Sequence, residues 1–114
     1  MVSPATTKIE QKGDIVVMRF DGDITSLSED AVLGKYKSLK ADVATILLDF
    51  TKVPYLNSSG IALVIQVLMA ASKVPQKVLC FGLSAHFNKV FTMLGLAKYT
   101  TLHADEAAAR AALA

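Results

Sequence analysis

The stretch Leu48-Asp-Phe-Thr-Lys-Val-Pro-Tyr-Leu-Asn-Ser-Ser-Gly60 sets the architecture. It opens at the end of the run Thr45 to Phe50, continuously apolar up to Asp49 and too short for a helix. Such a run suits a strand covered on both faces, as in a sheet flanked by helices. Pro54 breaks the chain beyond this strand into a loop over Val53 to Asn57. Helix resumes at Asn57-Ser58-Ser59-Gly60 and runs to about Ser72, since Asn and Ser cap helix starts well.

Upstream, Lys8 to Gln11 and Ile15 to Asp21 flank the turn Lys12-Gly13-Asp14 and form a hairpin, with Met1 to Thr6 as a loose end. Ser26-Leu-Ser-Glu29 has capping-box spacing, and Val32, Tyr36 and Leu39 come next as the apolar stripe of a helix ending near Lys40. Downstream, Lys77 to Leu83 forms a second buried strand. Ser84 caps a helix with the stripe Phe87, Val90, Phe91 and Leu94, which Gly95 stops where left-handed backbone is wanted. Tyr99 to Leu102 makes a short last strand, and Asp105 starts an Ala-rich helix. The order β-β-α-β-α-β-α-β-α predicts an α/β fold: a mixed central sheet of about five strands flanked by about four helices, chiefly on one face. No linker divides residues 1–114, which read as a single domain.

Composition excludes several classes. Hydrophobic residues are 53% and charged residues 19% of the 114, so the chain folds rather than staying disordered. A net charge of +2 with scattered lysines provides no basic patch for nucleic acid. The longest apolar run, Ile61 to Ala71, contains Gln66 and is far short of a membrane span. Without a secretion leader the expected compartment is the cytoplasm. Cys80, the only cysteine, sits among Val78, Leu79 and Phe81 and reads as an inert core residue.

Catalytic patterns are thin. His86 and His103 stand beside no acid–base constellation; no cluster has metal-ligand spacing, no cofactor motif occurs, and Asp21, Asp23 and Asp49 suit turns and strand ends. Two features hold more. Unpaired amides at the helix start near Ser58 could hold an anion, although Asn57 or Ser58 acting as a simple N-cap explains the same residues. The helix from Ile61 to Ala71 has no polar face apart from Gln66, so it is either central or covered by a partner, with some of Ile61, Leu63, Val64, Val67 and Leu68 accessible.

Asp49-Phe-Thr-Lys-Val-Pro-Tyr-Leu-Asn-Ser-Ser-Gly-Ile-Ala-Leu-Val64 resembles the STAS signature of bacterial anti-sigma factor antagonists, in which Asp-Ser-Ser-Gly opens a helix. Phe20-Asp-Gly-Asp-Ile-Thr25 is similar to that family's early strand end, Leu94-Gly-Leu-Ala-Lys-Tyr-Thr100 to its later turn, and Asp105-Glu-Ala107 to its terminal helix start. The resemblance implies a STAS fold and a binding module rather than an enzyme, without cofactor or metal. It implies that Ser58 is phosphorylated by a partner that is both anti-sigma factor and serine kinase, and that a PP2C-type phosphatase reverses the mark. It assigns the partner surface to Asp23, Asn57, Ser58, Ser59, Gly60, Ile61, Leu63 and Val64. Weak homodimerisation is a further partner reading. One departure stands out: the family's Asp before the serines is Asn57 here. Two alternatives therefore stay open, a scaffold relative that binds without being phosphorylated, and a regulatory STAS subunit on the ATPase of an ABC-type lipid transporter.

Overall fold

The computed structural model describes residues 5–40 and 42–113. Two antiparallel strands open it, β1 (Thr6–Lys12) and β2 (Ile15–Asp21), joined by a two-residue turn whose Gly13 has φ +63°. A glycine at that first turn position is what a type II′ hairpin requires. The parallel strands β3 (Thr45–Lys52), β4 (Lys77–Phe81) and β5 (Thr101–His103) come next, in the order β1-β2-β3-β4-β5. Between β2 and β3 a turn of 3-10 helix (Ser26–Ser28) and a turn of π-helix (Asp30–Gly34) lead into α1 (Lys35–Lys37). Helix α2 (Ser58–Ser72) links β3 to β4, α3 (Ala85–Met93) links β4 to β5, and α4 (Glu106–Ala111) comes after β5.

Spatial order matches chain order, so successive right-handed crossovers all place their helices on the same side. Alternation along the strands divides the apolar side chains accordingly. Val16, Met18, Phe20, Ile46, Leu48, Phe50, Val78 and Cys80 face α2, α3 and the 26–37 segment, and Phe20, Phe50 and Phe91 form an aromatic chain with centroids 5.4 and 5.9 Å apart. Val17, Leu47, Leu79 and Phe81 face the other way and are covered by Ala109 of α4. The mixed sheet, the helices chiefly on one face and the buried Leu47, Leu48, Val78, Leu79 and Cys80 agree with the sequence reading. Burial pushes the Cys80 thiol pKa up to about 12, which keeps it a neutral core group.

Several boundaries differ. Thr6 already pairs in β1 and Ala5 is buried in the core, so neither belongs to a loose end, and residues 1–4 of that expected segment lie outside the described residues. The capping box is Thr25 with Ser28, one residue earlier than its sequence spacing suggested: Leu27 N–H donates to Thr25 Oγ1 and Thr25 N–H to Ser28 Oγ. Helical geometry stops at Lys37 rather than near Lys40. Strand β3 runs on to Lys52, while β4 ends at Phe81 because Gly82 turns with φ +82°. A Cβ on Gly82 would lie 2.5 Å from Thr51 Oγ1, so the tail of β3 fixes that glycine. Leu94, expected on the buried stripe of α3, is exposed at its C-cap, and Gly95 takes the left-handed conformation (φ +74°) that its place in the sequence predicts.

Candidate functional site at the start of α2

Asn57 holds extended backbone, and its Oδ1 accepts the Gly60 N–H at 2.8 Å, which makes it the N-cap of α2. The carboxamide thus satisfies one of the orphan amides of the first turn without bringing a charge. Ser58 and Ser59, the first two helical residues, are exposed. The loop after β2 is laced to the loop before α2. Gly22 N–H donates to Lys52 O at 3.0 Å, Ile24 N–H to Tyr55 O at 3.0 Å and Asn57 N–H to Ile24 O at 3.2 Å, with Ile24 bridging Leu56. This lacing brings Asp23, half-buried, to the same corner as Asn57, Ser58 and Ser59. Ser28 Oγ donates to the Asp23 carbonyl at 3.2 Å and helps fix that loop.

The remaining residues assigned to the partner surface need correction. Gly60, Leu63 and Val64 are buried, as are Val67 and Leu68; only Ile61 of that apolar set is half-exposed. A Cβ on Gly60 would lie 1.9 Å from the Ile24 carbonyl oxygen, so Gly60 serves close packing and presents no surface. The outward side of α2 consists of Ser58, Ser59, Ala62, Gln66, Met69 and Ser72, with Ile61 and Ile65 on its flanks. One side of this helix is core, and the other is weakly polar surface. Leu27, 74% exposed, stands on the 3-10 turn packed against α2. Tyr55 is exposed as well, and its ring meets Phe87 edge-on at 6.2 Å, while His86 meets Phe87 edge-on at 4.8 Å. Sequence reasoning missed Ala62, Met69, Leu27 and Tyr55; helical spacing from Ser58 and Gln66 could have found Ala62 and Met69.

On the opposite sheet face lies a charge cluster with no local sequence signature. Arg19 Nε donates to Glu10 Oε2 and Nη1 to Asp49 Oδ2, each at 2.9 Å. The same guanidinium donates to both oxygens of Glu106, at 2.9 and 3.3 Å, and Arg110 Nε reaches Glu106 Oε2 at 2.9 Å. Asp49 Oδ1 also accepts the Thr51 N–H at 2.8 Å, a strand-end role. Arg19 holds the Glu106 and Glu10 carboxyls below the usual range, aided at Glu106 by Arg110, and these carboxylates hold the guanidinium fully charged. The cluster ties α4 to the sheet; it contains a cation among its counter-ions and no poised acid–base pair.

That tie has a pH signature. Because Glu106 titrates lower in the folded chain than its ordinary 4.5, the folded state binds fewer protons than the unfolded one near that pH. Its contribution is complete above about pH 4.5 and drains as pH falls through the lower folded value. Hydrogen-exchange protection factors in α4 should stay level from pH 7 to 5 and fall below about pH 4. Arg19→Met should abolish this step. Protection that stays level to pH 3 would show that the ion pairs do not hold α4.

Among the described residues no group of three or more His, Cys, Asp or Glu side chains gathers as a metal site, and no helix is long and apolar enough to cross a membrane. His103 Nε2 lies 2.8 Å from Thr101 Oγ1 on β5, away from the corner at Ser58.

This fold recurs in solved structures. The unphosphorylated anti-sigma factor antagonist SpoIIAA superposes with a TM-score of 0.72 at 19% identity, covering 89% of this chain and 90% of that one. An anti-sigma factor antagonist from Mycobacterium paratuberculosis gives 0.76 at 18% identity, over 98% and 97%. A sulfate transporter family protein from Wolinella succinogenes gives 0.72 at 16%, over 91% and 89%. At these identities the likeness is one of fold. No match was found among curated proteins. The STAS domain family model matches residues 6–109, from the first strand to the last helix, and the chain belongs to the STAS domain family.

Proposed function

We propose that this chain, as a single STAS domain over residues 1–114, is an anti-sigma factor antagonist: a cytoplasmic binding module, not an enzyme, whose partner is an anti-sigma factor with serine kinase activity. Ser58 is the switch. The observation that carries this reading is the exposure of Ser58 at the first turn of α2, on a corner held by the hydrogen bonds of Gly22, Ile24, Asn57 and Gly60. Phosphorylation there adds about −1.5 to −2 charge. The first-turn amides and the helix dipole stabilise it, so the domain has no need to unfold. The solved relatives include SpoIIAA in a phosphorylated form, at 22% identity and a TM-score of 0.73. Asn57 in place of an acidic neighbour keeps the cap and removes a charge that would repel the phosphate. A PP2C-type phosphatase would reset the switch.

The test is chemical. Incubation with the cognate kinase and ATP, then fragmentation mass spectrometry, should place a single phosphate on Ser58. Label on Ser59 would overturn the assignment, and tight binding without label would mark a scaffold that is not switched. The transporter-family neighbour favours a second reading, a regulatory domain docked on a transporter or its ATPase. Recovery of an ATPase instead of a sigma regulator in a pull-down from the native host would select it.

A further inference from the structure

The edge strand β1 carries a pattern that the Ser58 corner does not use. In the hairpin, Asp14 O accepts Thr45 N–H at 3.1 Å and Gly22 N–H donates to Lys52 O at 3.0 Å, so even-numbered backbone groups bordering and within β2 point to β3. Odd-numbered residues of β2 therefore point to β1, and the register Lys12↔Ile15, Glu10↔Val17, Lys8↔Arg19 makes the even-numbered residues of β1 their partners. Thr7, Ile9 and Gln11 are left with amides and carbonyls directed outward, and none of them has an in-chain backbone partner among the described residues. Seven residues in regular register with β2 form this edge, with the Thr7 Oγ1 donating inward to the Ala31 carbonyl, whereas β5 at the other side has only three. Such a row is a template for another strand.

We propose that β1 pairs antiparallel with β1 of a second copy of this chain, about a two-fold axis at Ile9, to join two sheets into one. Charge selects that register. Centred on Ile9, Thr7 opposes Gln11 of the second copy and Ile9 opposes its equivalent; each pair presents outward backbone groups to the other and exchanges both hydrogen bonds. Between them, at the positions where side chains come closest, Lys8 opposes Glu10 of the second copy, and Glu10 opposes its Lys8. A shift to centre on Lys8 would set the two Lys8 side chains face to face. A shift to centre on Glu10 would oppose the two glutamates and bring Lys8 against Lys12. One register is attractive and its neighbours are repulsive. The side chains are free to meet: Lys8 is 77% and Glu10 42% exposed. Arg19 and Lys8 both approach Glu10 at Oε2, at 2.9 and 3.7 Å, so Oε1 takes part in neither of these ion pairs. One strand pair buries little area, so the dimer is weak and concentration-dependent.

Sedimentation equilibrium up to about 1 mM protein should show reversible dimerisation of the wild type. Lys8→Glu, a substitution at an exposed position, should weaken it roughly tenfold by turning two attractive pairs repulsive. Hydrogen exchange on the wild type reads the register without any variant. From dilute to concentrated protein, protection should rise at the amides of Thr7, Ile9 and Gln11, and stay constant at Lys8, Glu10 and Lys12, which already pair with β2. A monomer throughout the range, a dimer indifferent to Lys8→Glu, or protection gained elsewhere would overturn the proposal. None of these outcomes depends on whether Ser58 is phosphorylated.

Discussion

Gly60→Ala should lower stability by roughly 3 kcal/mol, at the upper end of what overpacking a tight site does. The added Cβ would lie 1.9 Å from the Ile24 carbonyl oxygen and 2.5 Å from its carbon. Both are backbone atoms, and no rotamer change relieves the clash. Ile24 cannot retreat cheaply, because its N–H is bonded to Tyr55 O and its C=O accepts from Asn57 N–H. Moving α2 instead would lift Leu63, Val64, Val67 and Leu68 from the core. In a domain this size, the loss corresponds to a drop of roughly 12–20 °C in melting temperature. Gly34→Ala is the control: its Cβ would make only ordinary contact, 3.5 Å from Asp30 Oδ1, in a helical stretch. There alanine should be neutral or stabilise by up to about 1 kcal/mol. Denaturant titration of both variants decides the matter. A wild-type midpoint for Gly60→Ala would show that the corner between the two loops is not close-packed.

The second large effect concerns binding and rests on the proposed role of Ser58. Ser58→Asp should reduce partner affinity at least 100-fold, since an unpaired charge buried in an interface costs several kcal/mol. Its melting temperature should hardly move, because a carboxylate at a helix start changes stability by no more than ~1 kcal/mol. Ser58→Ala should bind like the unmodified protein and persist in the complex when ATP is present. Titration calorimetry against the anti-sigma factor, beside thermal melts, reads both quantities. Equal affinity for Ser58→Asp and wild type would remove Ser58 from the contact surface. Loss of binding together with a large fall in melting temperature would mean that Ser58 holds the fold rather than the partner.

Features set within a few residues are legible in the sequence alone. Asn57, Ser84 and Asp105 cap their helices because a cap needs only a side-chain acceptor and an amide three residues on. Gly95 ends α3 because left-handed backbone favours glycine. The unbroken apolar character of Ile46 to Leu48 and Val78 to Cys80 specified strands covered on both faces. Even the family signature reads along one continuous segment. Features that depend on distant neighbours emerged only in the folded chain. Between Ile61 and Ala71, α2 has Gln66 as its one polar residue, so its packing was needed to show Leu63 and Val64 turned inward and Ala62 and Met69 outward. The requirement for glycine at 60 comes from Ile24, and that at 82 from Thr51, residues far along the chain. Arg19 gathers Glu10, Asp49 and Glu106 from three other elements, and no spacing rule links position 19 to position 106. Caps and turns are local, whereas burial, close approach and ion pairing exist only once the sheet has brought its strands side by side.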